Sequence, residues 1–183
     1  TNTLIYFIER NLKNDNIFEL DKILLTLRID DLAKIYCRLR IAEKKSSKEV
    51  SLILDQVKKF DQKILHPEQE DLFRKLINES INIAFYNNYD NEVIEIVKTF
   101  DLLEEYDGGI FNSYIRSLIR IKNYEEIKIL LKRFINEVSE VNRLRILTEI
   151  GENELVRMEF EKIKNKVIED PKDIKIIDDL YFK

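Results

Sequence analysis

The residues best placed for chemistry are cations. Arg116 and Arg120 stand four apart with Lys122 beyond them, and Arg38, Arg40 and Lys44 form a second group. On helices a four-residue spacing puts two side chains on one face, and arginines so arranged can hold phosphate or carboxylate oxygens. The plainer role for each is a solvated face with ordinary salt bridges. Tyr86, Tyr89 and Tyr124 can stack on flat ligands or pack hairpin ends with one wet edge.

Catalytic constellations are missing. Cys37 follows Tyr36 inside an apolar stripe and reads as a small buried hydrophobe. A nucleophile needs a base, and the one histidine, His66, precedes Pro67 in a connector. Asp30-Asp31 stand where a helix begins, a position acids favour for the helix dipole. Asp178-Asp179 lie in the tail and read as solvating groups. No glycine-rich phosphate loop or metal motif occurs, and one Cys with one His cannot build a Cys/His zinc site. The sequence assigns no catalytic residue, metal ligand or cofactor, and the chain reads as a binding protein rather than an enzyme.

The chain has 183 residues, 44% apolar and 36% charged, enough to bury a core without disulfides. The single cysteine excludes an internal disulfide and suggests a reducing compartment. No apolar run approaches the length of a membrane span. The chain begins at Thr1 without a signal pattern, so a targeting segment is absent from this stretch or was removed. Only 3 Gly and 2 Pro occur, too few for a parallel α/β fold, whereas Ile reaches 28, Lys 20 and Asn 15, a bias of AT-rich codons. A net charge of −4 excludes a uniformly basic nucleic-acid footprint.

The elements that carry these residues show a helical period. Apolar residues at i, i+3, i+4, i+7 mark one helix face. Leu20, Ile23, Leu24, Leu27 fit, as do Val93, Ile96, Val97, Phe100 and Ile127, Leu130, Leu131, Phe134. Ile53, Val57, Phe60 and Val156, Phe160, Ile163 fit with one polar position. The first residues of the five stripes lie 33, 40, 34 and 29 apart. A partner stripe precedes each: Ile5, Ile8, Leu12; Leu32, Ile35, Tyr36, Leu39; Phe73, Leu76, Ile77, Ala84; Ile115, Leu118, Ile119; Leu144, Leu147.

The reading is therefore all-α, with five hairpins of a first helix A and a second helix B. Their bounds are about 1–29, 30–65, 66–107, 108–137 and 138–170, and 171–183 is a C-terminal extension or the start of a further repeat. Ser46 with Glu49 forms a capping-box pattern for the second B helix. Asn16 with Glu19, and Asn123 with Glu126, repeat that offset. Pro67 suits a helix's first turn. Gly108-Gly109 follow the third B helix, where a left-handed cap or turn is expected. A hairpin of this size cannot bury its apolar face alone, and stacking of neighbours predicts an α-solenoid. A closed helical bundle is the alternative.

Residues 110–134 carry a specific likeness. Ile110-Phe111-Asn112-Ser113-Tyr114-Ile115-Arg116-Ser117-Leu118-Ile119, then Asn123-Tyr124-Glu125-Glu126-Ile127 through Leu130-Leu131-Lys132-Arg133-Phe134, resemble the two helices of a pentatricopeptide repeat. Thr1-Asn2-Thr3-Leu4-Ile5 echoes the first-helix phrase, and Gly151 with Phe160 keeps the turn and core positions in the fifth repeat. Small residues at helix crossings are mostly missing, and Lys122 stands at a turn-glycine position. The tetratricopeptide family, which binds proteins, shares the hairpin. The chain is most similar to divergent pentatricopeptide proteins of fungal mitochondria.

The resemblance implies A helices on a concave surface, a base-reading position at Ser113 with Asn112 beside it, and work in the mitochondrial matrix, the cytoplasm being the alternative. The A helices sum to about +3 and the B helices to about −7, of which about −6 is the third, with Asp90, Glu92, Glu95, Asp101, Glu104, Glu105 and Asp107. Two partners are thus expected for the concave groove. Single-stranded RNA would be held by Arg38, Arg40, Lys44, Asn112, Ser113, Arg116, Arg120 and Lys122 in organellar RNA processing, stability or translation. A protein or peptide would be held in the manner of a tetratricopeptide adaptor.

Overall fold

Apolar residues recur here with the period of a helix, and the chain forms helices throughout its described length. The computed structural model describes residues 2–13, 17–26, 30–45, 48–62 and 65–163. Among them lie ten α-helices and no strand: α1 (Asn2–Lys13), α2 (Ile17–Thr26), α3 (Asp31–Lys44), α4 (Glu49–Lys58), α5 (Glu70–Tyr86), α6 (Asp90–Thr99), α7 (Gly108–Arg120), α8 (Tyr124–Arg133), α9 (Glu140–Glu149) and α10 (Asn153–Ile163). A 3-10 turn, Pro67–Gln69, leads into α5, with Pro67 at its start as its fixed φ allows. The fold class is all-α. The caps expected at Ser46 and Asn16, the stripe residue Leu27 and the extension 171–183 with Asp178 and Asp179 lie outside the described residues.

The chain divides into two compact units, Thr1–Ser117 and Leu118–Lys183. In the first unit α3 packs on α1, α4 and α5, while α6 packs on α4 and α5, and α2 on α1 and α3. Stripe residues supply this core. Ile8, Leu20, Leu32, Leu39, Ile53, Val57, Leu76, Val93 and Ile96 are all buried, and so is Tyr36, the largest of the fully buried side chains. In the second unit α9 packs on α10. There Val141, Leu144 and Ile163 form a cluster against Val156 and Phe160.

Three of the interhelix turns are built alike. Asn88, Lys122 and Gly151 have φ of 60°, 62° and 78°. After each, the next residue's N–H reaches back to a carbonyl of the A helix: Tyr89 to Ala84 at 2.9 Å, Asn123 to Leu118 at 2.9 Å and Glu152 to Leu147 at 3.0 Å. This is the Schellman closure, in which a left-handed residue lets the chain satisfy the last carbonyls. Its recurrence at Asn88, Lys122 and Gly151 keeps the steps of the apolar stripes. An L side chain held left-handed costs about 1–2 kcal/mol, partly offset by glycine's larger entropy in the unfolded chain. Lys122→Gly is therefore expected to raise stability by about 0.5–1 kcal/mol and Gly151→Ala to lower it by about 1 kcal/mol. Urea midpoints of the two variants check both signs.

Two expectations change. Gly108-Gly109 do not cap α6. Asp101 does, at φ 49°, with Leu102 N–H bonded to Val97 O at 3.1 Å. The two glycines open α7, and Asp107 Oδ1 accepts from Gly109 N at 2.8 Å and Ile110 N at 3.0 Å. Consequently Asp101, Glu104, Glu105 and Asp107 lie in the connection after α6, not on it. Helix α4 begins at Glu49 behind Lys48, which makes no side-chain cap. Asn123 behaves as its spacing predicts: its Oδ1 accepts from Glu126 N–H at 3.4 Å.

Candidate functional site

Helix α3 carries the first cationic group. Arg38 is exposed, and its Nη1 donates to Gln56 Oε1 of α4 at 3.3 Å. Arg40, half-buried, lies in a lattice of carboxylates. Its Nη1 is 2.8 Å from Glu43 Oε2 and 3.0 Å from Glu79 Oε2, and its Nε is 3.8 Å from Glu9 Oε1. Lys75 Nζ is 3.4 Å from Glu9 Oε1 and 4.9 Å above the Tyr36 ring. The Tyr36 hydroxyl donates to Glu9. Glu9 belongs to α1, Tyr36, Arg40 and Glu43 to α3, and Lys75 and Glu79 to α5, so the lattice ties three A helices together. Lys44, at the end of α3, is exposed.

Electrostatics in the lattice oppose burial. Desolvation alone would raise the Glu9 carboxyl. The Tyr36 hydroxyl and the Lys75 and Arg40 charges outweigh it and hold the carboxyl below its usual range. Burial, with the Glu9 hydrogen bond and charge, pushes the Tyr36 phenol well up. Beside it Cys37 is fully buried, and desolvation followed by the Glu9 charge pushes its thiol up to about 12. A protonated, enclosed thiol is a poor nucleophile. Among the described residues no three His, Cys, Asp or Glu gather as a metal site, and no helix is long and apolar enough to cross a membrane.

The second predicted group lies along α7 and the turn after it. Asn112 is exposed, and Ser113, half-buried, turns its Oγ onto Gly109 O at 3.2 Å. Arg116 is half-buried, Arg120 is exposed, and each engages a neighbouring group. Lys122 is exposed at its left-handed turn. Ser113 lines a cavity of about 220 Å³ with Asn78 and Asn82 of α5 and Asp107. Arg38 lines a different one, of about 640 Å³, with Lys34 of α3, and with Gln56, Lys59 and Phe60 from α4 and its end. The structure thus places Arg38 and Ser113 at separate cavities, and it puts Arg40 at neither.

No family model, no curated protein and no solved structure matches this chain. Its chemistry therefore rests on its own geometry. The second unit holds a pocket of about 90 Å³ lined by Leu131, Ile135, Leu147, Leu155 and Met158. Ile135 and Met158 are 46% and 60% exposed, which leaves an apolar hollow open to solvent. Lys128 and Lys132 stand beside it, and the Arg143–Glu159 ion pair closes one wall.

Sequence reasoning passed over Lys34, Lys59, Asn78, Asn82 and Met158. Two signals were present: Lys34 with Arg38, and Asn78 with Asn82, repeat the four-residue spacing that drew attention to Arg116 and Arg120. The apolar pocket had no such signal, because its lining comes from three helices whose stripes are otherwise core.

Proposed function

We propose that this chain is a non-catalytic α-solenoid whose work is to hold a protein or peptide partner. The solenoid is supported by like helices packing on like in the first unit: α1 on α3 on α5, and α4 on α6. The observation that carries the partner class is the apolar pocket beside Met158. Its volume of about 90 Å³ suits a single aliphatic side chain, and an anchor residue in a small dry pocket is how interfaces concentrate their binding energy. The lattice around Arg40 argues the same way, because an arginine and a lysine shared among Glu9, Glu43 and Glu79 offer a phosphate backbone little charge.

A selected peptide library tests this. Peptides enriched on the chain should carry an aliphatic anchor, and Met158→Glu should weaken them at least about tenfold, equivalent to about 1.4 kcal/mol. Equal binding by Met158→Glu overturns the reading. Single-stranded RNA is the second reading, favoured by the amide and hydroxyl lining of Asn78, Asn82 and Ser113. A random RNA pool that binds in a salt-sensitive way, and loses binding in Asn78→Ala/Asn82→Ala, would promote it over the first.

A further inference from the structure

The cavity beside α3 gathers three cations. Three other cations of this unit are neutralised: Arg40 by three carboxylates, Lys58 by Asp55 and Glu95, Lys75 by Glu9. Lys34, Arg38 and Lys59 line one cavity of about 640 Å³. Among the described residues none of these three forms an ion pair with a carboxylate. Lys34 and Arg38 stand one turn apart on α3, roughly 6 Å along the helix axis, and Lys59 joins them from the C-terminal end of α4. Gln56 Oε1 accepts from one Arg38 nitrogen at 3.3 Å, which steadies the guanidinium and leaves its other donors open.

We propose that this cavity binds a small phosphate monoester. Its volume lies within the range of about 300–1,000 Å³ usual for small-ligand sites. Three cations and the amide of Gln56 supply the charge-assisted donors that a phosphate dianion needs. The nearby carboxylates sharpen the choice. Asp30 is occupied, accepting from Leu32 N at 2.8 Å and from the Gln69 amide. Asp31 and Asp61, both exposed, line the cavity as well. A compact dianion concentrates its charge at the cations, while a strand of phosphodiesters spreads along the cavity and meets both carboxylates. Asp31, exposed, accepts a hydroxyl from the rest of the ligand, and Phe60, half-buried and in ring contact with Phe73 at 5.6 Å, gives it an apolar wall.

Titration calorimetry on the full chain at low salt tests the assignment, with inorganic phosphate and adenosine monophosphate as probes. Both should bind saturably. Arg38→Gln should weaken both at least about tenfold, with an unchanged melting temperature because Arg38 is exposed. Arg74→Gln, an exposed cation of α5 outside this cavity, should leave affinity unaltered. The assignment is overturned by no saturable binding up to about 10 mM, a weakness beyond about 3 kcal/mol of affinity. It is equally overturned if Arg38→Gln binds as well as the parent chain. Adenosine, or an oligonucleotide lacking a terminal phosphate, binding as tightly as the monophosphate would also sink it.

Discussion

Arg143→Ala is expected to destabilise the chain by about 3–5 kcal/mol, the usual consequence of breaking a buried ion pair from one side. Arg143 and Glu159 are 6% and 8% exposed, so neither group has water to fall back on. Arg143 Nε and Nη2 lie 3.2 Å and 3.1 Å from Glu159 Oε2. Its Nη1 donates to Ile135 O at 2.5 Å and also to Val138 O. One guanidinium of α9 thus ties down α10 and the turn after α8. Removing it strands two carbonyls and a carboxylate whose remaining partner is Lys162, 2.5 Å from Glu159 Oε1. The pair Arg143→Met/Glu159→Leu should recover most of the loss, because apolar residues of similar volume avoid desolvating two charges. Urea unfolding of the single and double variants measures the coupling. A single variant within about 1 kcal/mol of the parent would mean the pair is not the clasp of this unit.

What could be read from the sequence, and what could not, divides by range. Stripes such as Val93, Ile96, Val97, Phe100 are visible because burial of a helix face is a local, periodic demand, and all four residues are buried. The Asn123 cap is likewise local, since donor and acceptor lie three residues apart. The glycine pair misled because the left-handed residue was needed at the start of the α6–α7 connection, whereas the glycines stand at its end. Asp101 took that conformation, as a short polar side chain can, and Asp107 then capped the helix the glycines begin. Arg40 shows the longer range. Its partner Glu79 lies 39 residues away, and α1 and α5 deliver Glu9 and Glu79 to it only by packing on α3. The sequence marks the face of α3 that bears the cation, but the carboxylates that quench it belong to other helices. The same limit hid the three cavities, whose linings are assembled from several elements.

The second large effect is expected at Tyr36, where Tyr36→Ala should cost about 3–5 kcal/mol, as truncation of a buried aromatic does. The ring is fully buried in α3 while its hydroxyl reaches Glu9 of α1 and Lys75 of α5 lies over its face. Tyr36→Phe keeps the packing and removes only the donor, so it should cost about 1 kcal/mol. Its sharper signature is in pH. The folded Glu9 carboxyl lies below its usual value of 4.5, because Tyr36, Lys75 and Arg40 outweigh desolvation. A depressed carboxyl stabilises the fold above its unfolded pKa, and that stability drains away as pH falls through the folded pKa. Stability should therefore drop below about pH 4.5, less steeply in Tyr36→Phe, where Glu9 loses a donor that favours its charged form. In Glu9→Gln this part of the acid dependence should vanish, leaving only that of other carboxylates such as Asp55, which Lys58 holds low. Urea midpoints at pH 7 and pH 3.5 for the three chains decide the matter. Parallel losses in all three would show that the lattice joining α1, α3 and α5 contributes nothing to acid stability.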